Sequence, residues 1–256
     1  MKVSSERSLY PSTLIHFTRE YSTLIEILKC SYFRASHSNE EIYGSVKVKS
    51  RKFAIPMVSF CDIRISHLME HTSKYGGFGI GLKKSWGVKN GLNPVFYINS
   101  DCSMIDYFNE TLRTFKEKYL SDLDDENYYA QKKIYRALIN PFRYMKNYEG
   151  TLNRKNQEPI LDYRFANENE WRYVPDIRSN IAPIRFRRNK KKGDEKIRDC
   201  KEAILHFSYE DIKYIFVEDE SYLNEIVKDI NTAYSGEIKN KLLSKIFVTS
   251  NIFNDL

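Results

Sequence analysis

The order of hydrophobic and polar positions along the chain predicts short strands alternating with amphipathic helices. Apolar runs predict strands at 14–18, 32–35, 55–60, 78–82, 93–98, 170–174, 203–207, 212–217 and 245–249. Apolar residues at helical spacing predict helices at 20–29, 66–75, 220–233 and 237–243. The polar segment 37–52 is predicted to be a loop, and Pro56 indicates an edge strand or a strand start.

Two longer helical patterns occupy the middle of the chain. They cover about 103–120 and 126–140, and Pro141 ends the second one. The acidic stretch Asp122–Asp125 separates them. We therefore predict a helical insert at about 103–148 between two strand-rich parts of a single domain spanning residues 1–256.

The charge balance favours a polyanionic partner such as nucleic acid, because the chain has a net charge of +7 and a pI near 9.0. No apolar stretch approaches the roughly 20 residues that span a bilayer. The N-terminus lacks the apolar core of a signal peptide. The four cysteines are scattered without a C-x-x-C spacing. These features predict a cytoplasmic protein with reduced thiols and no membrane partner.

Two glutamates stand two positions apart at the start of an aromatic and β-branched run that predicts a strand. Glu168 and Glu170 would then project from the same face of that strand. Like charges side by side seldom stabilise a sheet. In a catalytic cleft, one carboxylate can stabilise an oxocarbenium-like centre while the other deprotonates an acceptor. The alternative is a solvated strand end where the glutamates pair with Arg172 or nearby lysines.

Three further segments contain candidate functional residues. His16 lies in an apolar strand, where its ring must be hydrogen-bonded within the core or bind a ligand. His67-Leu68-Met69-Glu70-His71 matches the H-x-x-E-H pattern of a zinc peptidase helix, but nothing marks a third ligand, so we expect no zinc. The glycines of Tyr75–Leu82 fit a turn into a strand, and the segment is not a phosphate-binding loop.

A basic run at 185–192 has six positive charges in eight residues, with Phe186 among them. Such a run is typical of a solvated loop, but it also fits a phosphate backbone with a base stacked on the aromatic ring. The nucleic-acid-binding residues predicted here are Arg185, Arg187, Arg188, Lys190 and Lys191.

The chain resembles the AbiGi family of phage abortive-infection proteins through an ordered set of segments. These are Leu14–Thr18, Ile55–Ile63, His71-x-x-x-Tyr75-Gly76, Gly79–Leu82, Asn93-Pro94-Val95 and Glu168-x-Glu170-Trp171-Arg172. The resemblance covers most of residues 14–100 and 165–176. This family has been labelled an antitoxin of an abortive-infection pair, which implies a cognate toxin or antitoxin partner.

A more distant resemblance is to NAD-dependent ADP-ribosyltransferases, through His-x-Thr on the first strand, Ser-Phe on a middle strand and the late Glu-x-Glu. It implies that Glu170 holds the 2′-hydroxyl of the nicotinamide ribose as the glycosidic bond breaks, and that Glu168 acts on the acceptor. It implies NAD contacts for His16, Thr18, Ser59, Phe60 and Tyr75.

This second resemblance implies an α+β fold of two packed, mostly antiparallel sheets around an NAD cleft. The implied function is a phage-defence toxin that transfers ADP-ribose from NAD to a nucleic acid or protein. One alternative is a non-enzymatic antitoxin or nucleic-acid-binding partner that functions through the basic run. A zinc hydrolase built on His67, Glu70 and His71 is a third. For the transferase we expect His16 to share a cleft with both glutamates, and Glu170→Gln, at an exposed position, to abolish activity without unfolding.

Overall fold

The computed structural model describes residues 11–44, 50–119, 125–153, 158–176, 184–185, 195, 197 and 200–254. These residues form eight α-helices, a nine-stranded main sheet and three two-stranded sheets. The predicted α+β class is confirmed. No helix among the described residues is both long enough and apolar enough to cross a membrane.

The described residues contain strands and helices with the following bounds. The strands are β1 (Thr13–Thr18), β2 (Tyr32–Arg34), β3 (Ser36–Ile42), β4 (Arg51–Cys61), β5 (Phe78–Lys83), β6 (Asn93–Pro94), β7 (Phe96–Ile98), β8 (Met145–Asn147), β9 (Gly150–Leu152), β10 (Ile160–Tyr163), β11 (Glu170–Tyr173), β12 (Ile184–Arg185), β13 (Ile204–His206), β14 (Ile212–Val217) and β15 (Ile246–Val248). The helices are α1 (Tyr21–Cys30), α2 (Leu68–Tyr75), α3 (Lys84–Lys89), α4 (Met104–Tyr119), α5 (Asp125–Ile139), α6 (Leu223–Ala233), α7 (Gly236–Leu243) and α8 (Thr249–Asn254).

The main sheet runs in the order β15-β14-β5-β1-β4-β11-β6, with β3 and β12 also paired to β4. Its strand pairs are antiparallel except for β14 and β15, which are parallel. The expected arrangement of two packed sheets differs from this one. The nine strands form a single hydrogen-bonded network, because the 11-residue β4 pairs with different strands along its length.

The long strand β4 explains how the sheet opens beside the candidate site. Its first part pairs with β3 and β12, and its last part pairs with β11. It joins β1 only through the pair Ile15 and Cys61. Pro56 lies inside β4 rather than at its start, between the stretches paired to β12 and β11, where a missing N–H is tolerated.

One large hydrophobic core lies against the sheet and is covered by helices on that side. The apolar stripe of α1 supplies Leu24 and Leu28, and α6 supplies Ile226 and Ile230. These side chains pack with strand residues such as Ile80. The apolar face predicted for α1 from its amphipathic spacing is therefore the face that is buried.

The middle of the chain forms the two predicted helices, α4 and α5, which pack against each other. Ile105 and Leu112 of α4 belong to a second, smaller core with Phe142 and Met145. The chain then enters β8, which pairs in parallel with β7 and sets Tyr97 beside Lys146. The helical pair therefore leads directly into a strand of the candidate site.

The loop predicted at 37–52 is wrong over much of its length. Residues Ser36–Ile42 form β3, which pairs with β4 at seven positions. Pairing with β4 satisfies the backbone groups along one edge of β3, and four of its polar residues, Ser38, Asn39, Glu40 and Glu41, line the cleft described below. The sequence pattern did not predict this strand, because most of its residues are polar on both faces, so apolar and polar positions do not alternate.

Candidate active site

A cleft of about 510 Å³ lies beside the point where β1 and β4 meet. Ile15 and Cys61, the pair that joins these strands, both line it. The cleft also brings together five residues proposed for the site from the sequence, which are His16, Ser59, Tyr75, Glu168 and Glu170. His16 and both glutamates thus share one cleft, as the transferase resemblance requires, while their chemical roles stay predictions.

Glu170 is the first residue of β11 and is buried, with only 3% of its surface exposed. Its Oε1 accepts a hydrogen bond from the Ser59 hydroxyl at 2.8 Å and one from the Arg172 Nε at 2.7 Å. Its Oε2 lies 2.8 Å from the Lys146 ammonium. The expectation that Glu170 is exposed is wrong, because this carboxylate lies within a buried network of ion pairs.

Glu168 reaches the same cleft by a different route from the one predicted. It ends the 3-10 turn Phe165–Glu168, and Asn169 then adopts a left-handed conformation with φ of 43° before β11 begins. The two glutamates therefore do not share a strand face. They converge because Lys146 lies 2.8 Å from both carboxylates, while the Tyr75 hydroxyl donates to Glu168.

Arg172 is fully buried and organises the network beneath the cleft. It contacts Glu170 through two of its nitrogens, and its Nη2 lies 2.9 Å from a carboxylate oxygen of Glu40. It also donates to the backbone carbonyls of Arg143 and Met145, each at 3.2 Å. The position of Arg172 two residues after Glu170 indicated a shared face. No sequence signal pointed to Lys146 or Glu40, which come from distant segments.

The buried cluster contains three carboxylates, on Glu40, Glu168 and Glu170, and two cations, Lys146 and Arg172. Burial alone would raise the pKa of Glu170, but Arg172 and Lys146 outweigh burial and hold that pKa well below the usual carboxyl range. Burial raises the pKa of Glu40, and the attraction of Arg172 and Lys146 only partly opposes this. Glu170 is therefore held ionised, whereas Glu40 takes up a proton more readily than Glu170 does.

His16 lies against Phe33 and Phe60, with ring-centroid distances of 5.0 and 5.6 Å. Its Nδ1 donates to the backbone carbonyl of Ser59 at 2.9 Å. Burial lowers the pKa of His16, so the ring is neutral near pH 7. A neutral ring protonated on Nδ1 has its Nε2 as a hydrogen-bond acceptor.

Comparison with known proteins identifies the family. A family model described as "Putative abortive phage resistance protein AbiGi, antitoxin" matches residues 25–218, which is more than half of the chain. The chain belongs to the AbiGi family. A protein of Lactococcus lactis subsp. cremoris described as "Abortive phage resistance protein AbiGi" is 29% identical over 230 residues, covering 80% of this chain and 90% of that protein. No solved structure matches the chain.

The AbiGi resemblance of the sequence is thereby confirmed. The family match includes Ser59, Glu168 and Glu170, whereas His16 precedes its first residue at 25. AbiGi membership establishes a protein of abortive phage resistance. It does not by itself establish a transferase activity, so that assignment remains a proposal.

Two residues predicted to contact NAD do not line the cleft of this AbiGi-family protein. Phe60 is 1% exposed and belongs to the main core, because alternate residues of β4 face opposite sides of the sheet. Phe60 therefore lies outside this cleft, and its assignment to a nicotinamide pocket stays a prediction. Thr18 is the last residue of β1 and is also absent from the cleft lining.

The H-x-x-E-H segment does not form one helical face. His67 lies in a 3-10 turn and α2 begins only at Leu68. His71 is buried between Phe17 and Tyr75, with ring-centroid distances of 6.3 and 6.0 Å. Among the described residues no group of three metal-binding side chains occurs. The zinc hydrolase therefore gains no support from this geometry.

The first glycine of the segment Tyr75–Leu82 has a structural explanation. Gly76 ends α2 with φ of 105°, and a Cβ built there would lie 2.4 Å from the carbonyl oxygen of Thr18. Tyr75, the residue before this glycine, lines the cleft. Within the basic run, Arg185 lies in β12, whereas Arg187, Arg188, Lys190 and Lys191 lie outside the described residues.

Proposed function

We propose that this AbiGi-family chain is an NAD-dependent ADP-ribosyltransferase that acts as the toxic component of a phage-defence system. The observation that carries the proposal is the cleft, where Glu170, Ser59 and His16 lie together on neighbouring strands. Its volume of about 510 Å³ falls within the range of small-molecule sites. Its lining also offers a carboxylate and a neutral imidazole as hydrogen-bond acceptors, which suit the hydroxyls of a ribose.

Glu170 is the residue to which we assign the central role. Its carboxylate would accept a hydrogen bond from the 2′-hydroxyl of the nicotinamide ribose and stabilise positive charge at C1′ as the bond to the nicotinamide nitrogen breaks. The bonding electrons leave with the nicotinamide, and the acceptor forms the new bond to C1′. Arg172 and Lys146 favour the ionised carboxylate, and the Ser59 hydroxyl orients it.

Glu168 and His16 would have supporting roles. Glu168, like Glu170, accepts a hydrogen bond from Lys146. Its carboxylate would receive the proton of the attacking acceptor group. The Nε2 of His16 would accept a hydrogen bond from a hydroxyl or amide of bound NAD. The acceptor class, nucleic acid or protein, is left to the experiment.

A second function is favoured by the family description, which uses the word antitoxin. In this second hypothesis, the protein neutralises a partner toxin without catalysing a reaction. The ion pairs would then be structural, and both oxygens of Glu170 do already have partners within the chain. The two functions differ in one measurable property, the release of nicotinamide from NAD.

The test uses the purified full-length chain with NAD labelled in its ADP-ribose half. Release of nicotinamide and transfer of label are measured with RNA, single-stranded DNA and a protein extract as acceptors. We expect release by the wild type and a decrease of about 100-fold or more in Glu170→Gln, because the transition-state charge is no longer stabilised. Glu26→Gln, at an exposed position on α1, is the matched control and should retain full activity.

Each variant is first checked for folding by circular dichroism, and rates are expressed per folded molecule. Ser59→Ala provides a second variant that leaves every charge of the cluster in place. The transferase assignment would be wrong if the wild type released no nicotinamide with any acceptor. If the wild type also rescued cells that express a partner toxin, the antitoxin function would take its place.

A further inference from the structure

A second cavity, of about 430 Å³, borders β11, and Glu170 lines both this cavity and the first cleft. Trp171 lines it, and its side chain points away from those of Glu170 and Arg172 because successive strand residues face opposite sides. Pro94 and Tyr97 also line the cavity. The indole is only partly buried. This cavity therefore presents an accessible aromatic ring beside a proline, the kind of surface on which a flat ring stacks.

Asp62 is the second feature of this cavity, and it is 9% exposed. Its Oδ2 forms an ion pair with Lys84, whereas its Oδ1 is buried without a hydrogen-bond partner among the described residues. A buried carboxylate oxygen without a donor is unfavourable, and an N–H group brought by a ligand would relieve it. The cavity thus combines a stacking surface with an unfilled acceptor.

A groove of about 630 Å³ continues from this cavity, with Pro11 lining both. Lys83, Lys84 and Lys213 line the groove. Lys84 connects the two features, because its Nζ lies 5.2 Å from the ring centroid of Trp171. The pKa of the neighbouring Lys245 is lowered mainly by burial and, to a smaller extent, by repulsion from Lys83 and Lys241. The repulsion indicates a positive potential near the groove. A groove lined by lysines favours the binding of phosphate groups.

We propose that this cavity and groove bind a single-stranded nucleic acid. One base stacks on Trp171 and donates an N–H to the Oδ1 of Asp62, while the phosphates follow Lys83, Lys84 and Lys213. An acidic peptide fits less well, since Asp62 repels its carboxylates and the lysines of the groove suit the regular phosphates of a nucleic acid. The inference does not depend on the transferase chemistry, because Trp171, Lys83, Lys84 and Lys213 do not line the first cleft, although Glu170 lines both cavities.

The first test is fluorescence titration of the full-length chain with unlabelled single-stranded RNA and DNA 12-mers. The chain has two tryptophans, and Trp86 is 5% exposed, so quenching by a stacked base reports mainly on Trp171. We expect saturable quenching by an oligonucleotide and no quenching by heparin, which offers charge without bases. Equal binding of heparin and oligonucleotide without quenching, or binding of an acidic peptide alone, would overturn the proposal.

The second test compares two double variants that lower the net charge equally, from +7 to +5. Lys83→Gln/Lys213→Gln removes charges of the groove, whereas Lys116→Gln/Lys228→Gln removes exposed charges elsewhere. The slope of log affinity against log salt should decrease by about 1.4 in the groove variant only, at about 0.7 per phosphate. Equal slopes in the two variants would remove the groove from the interface.

Trp171→Ala should weaken oligonucleotide binding by about 5- to 100-fold through loss of stacking, and Trp171→Phe by less. Because Trp171 also packs against the main core, folding of both variants is checked first. The lysine pair gives the decisive result if Trp171→Ala does not fold. Unchanged affinity in a folded Trp171→Ala would exclude stacking on this ring.

Discussion

Arg172→Met is the most informative perturbation of the candidate site. The side chain of Arg172 is 0% exposed and bonds to two carboxylates, those of Glu170 and Glu40. It also serves two backbone carbonyls. Methionine has a similar length without the charge, so the substitution leaves these acceptors in place and removes their donor. Lys146 would then be the one cation facing the three carboxylates of the cluster.

The magnitude follows from burial. Removing one partner of a buried ion pair destabilises a protein by about 3–5 kcal/mol. With a urea dependence of about 3 kcal/mol per M, the unfolding midpoint should fall by about 1–1.7 M. The free energy of unfolding is measured by urea titration with circular dichroism at pH 7.

Arg113→Met on α4 is the control, since Arg113 is 67% exposed and lies 3.9 Å from Glu110 in a surface pair. It should change the free energy of unfolding by less than about 0.5 kcal/mol. The double variant Glu170→Gln/Arg172→Met should be less destabilised than the sum of its parts, because the two side chains interact directly. A midpoint for Arg172→Met equal to that of Arg113→Met would refute the buried network.

Two more predictions concern the backbone and the protonation of the cluster. Gly76→Ala should destabilise the protein more than Gly91→Ala, because both glycines have positive φ but only Gly76 would clash with backbone atoms of β1; urea midpoints test this. The raised pKa of Glu40 gives stability that is present below the unfolded value of 4.5 and lost as pH rises through the folded pKa. Glu40→Gln should therefore lose less stability than the wild type as the pH is raised above 4.5, and parallel curves would contradict this.

Periodicity predicted the stripe of α1, whose apolar residues face one core. The strands β1, β5 and β14 were predicted as continuous apolar runs, because they are buried on both faces; Leu14 and Ile215 belong to the main core, whereas Ile15 and Phe216 belong to a smaller one. The sequence pattern failed at β3, whose partner strand and facing cleft lie elsewhere in the sequence. Pairing across the sheet, rather than local preference, makes this segment a strand.

The candidate site was predictable only where chemistry is local in sequence. The spacing of Glu168 and Glu170 indicated convergence, but for the wrong reason, because a left-handed Asn169 separates a turn from a strand. Lys146 follows the helical pair and Glu40 lies in the segment predicted as a loop. Their contacts with the glutamates depend on how β3 and β8 approach β11, which no local pattern encodes.

The burial of Glu170 changes how its substitution must be interpreted. Glu170→Gln removes a charge that compensates two buried cations, so we now expect a loss of stability together with any loss of activity. Arg172→Met provides the comparison, because it breaks the same ion pair but retains the carboxylate. Without Arg172, burial raises the pKa of Glu170 with less opposition, so the ionised fraction of this carboxylate grows as the pH increases.

If the carboxylate of Glu170 is catalytic, nicotinamide release by Arg172→Met should recover as pH rises, whereas release by Glu170→Gln should stay low at every pH. Rates are measured per folded molecule from pH 6 to 9, with Arg113→Met as the control for the pH response of the assay. A purely structural role of the pair predicts the same pH profile for both variants. Matching profiles would therefore assign the network to stability and leave the cleft without its proposed carboxylate chemistry.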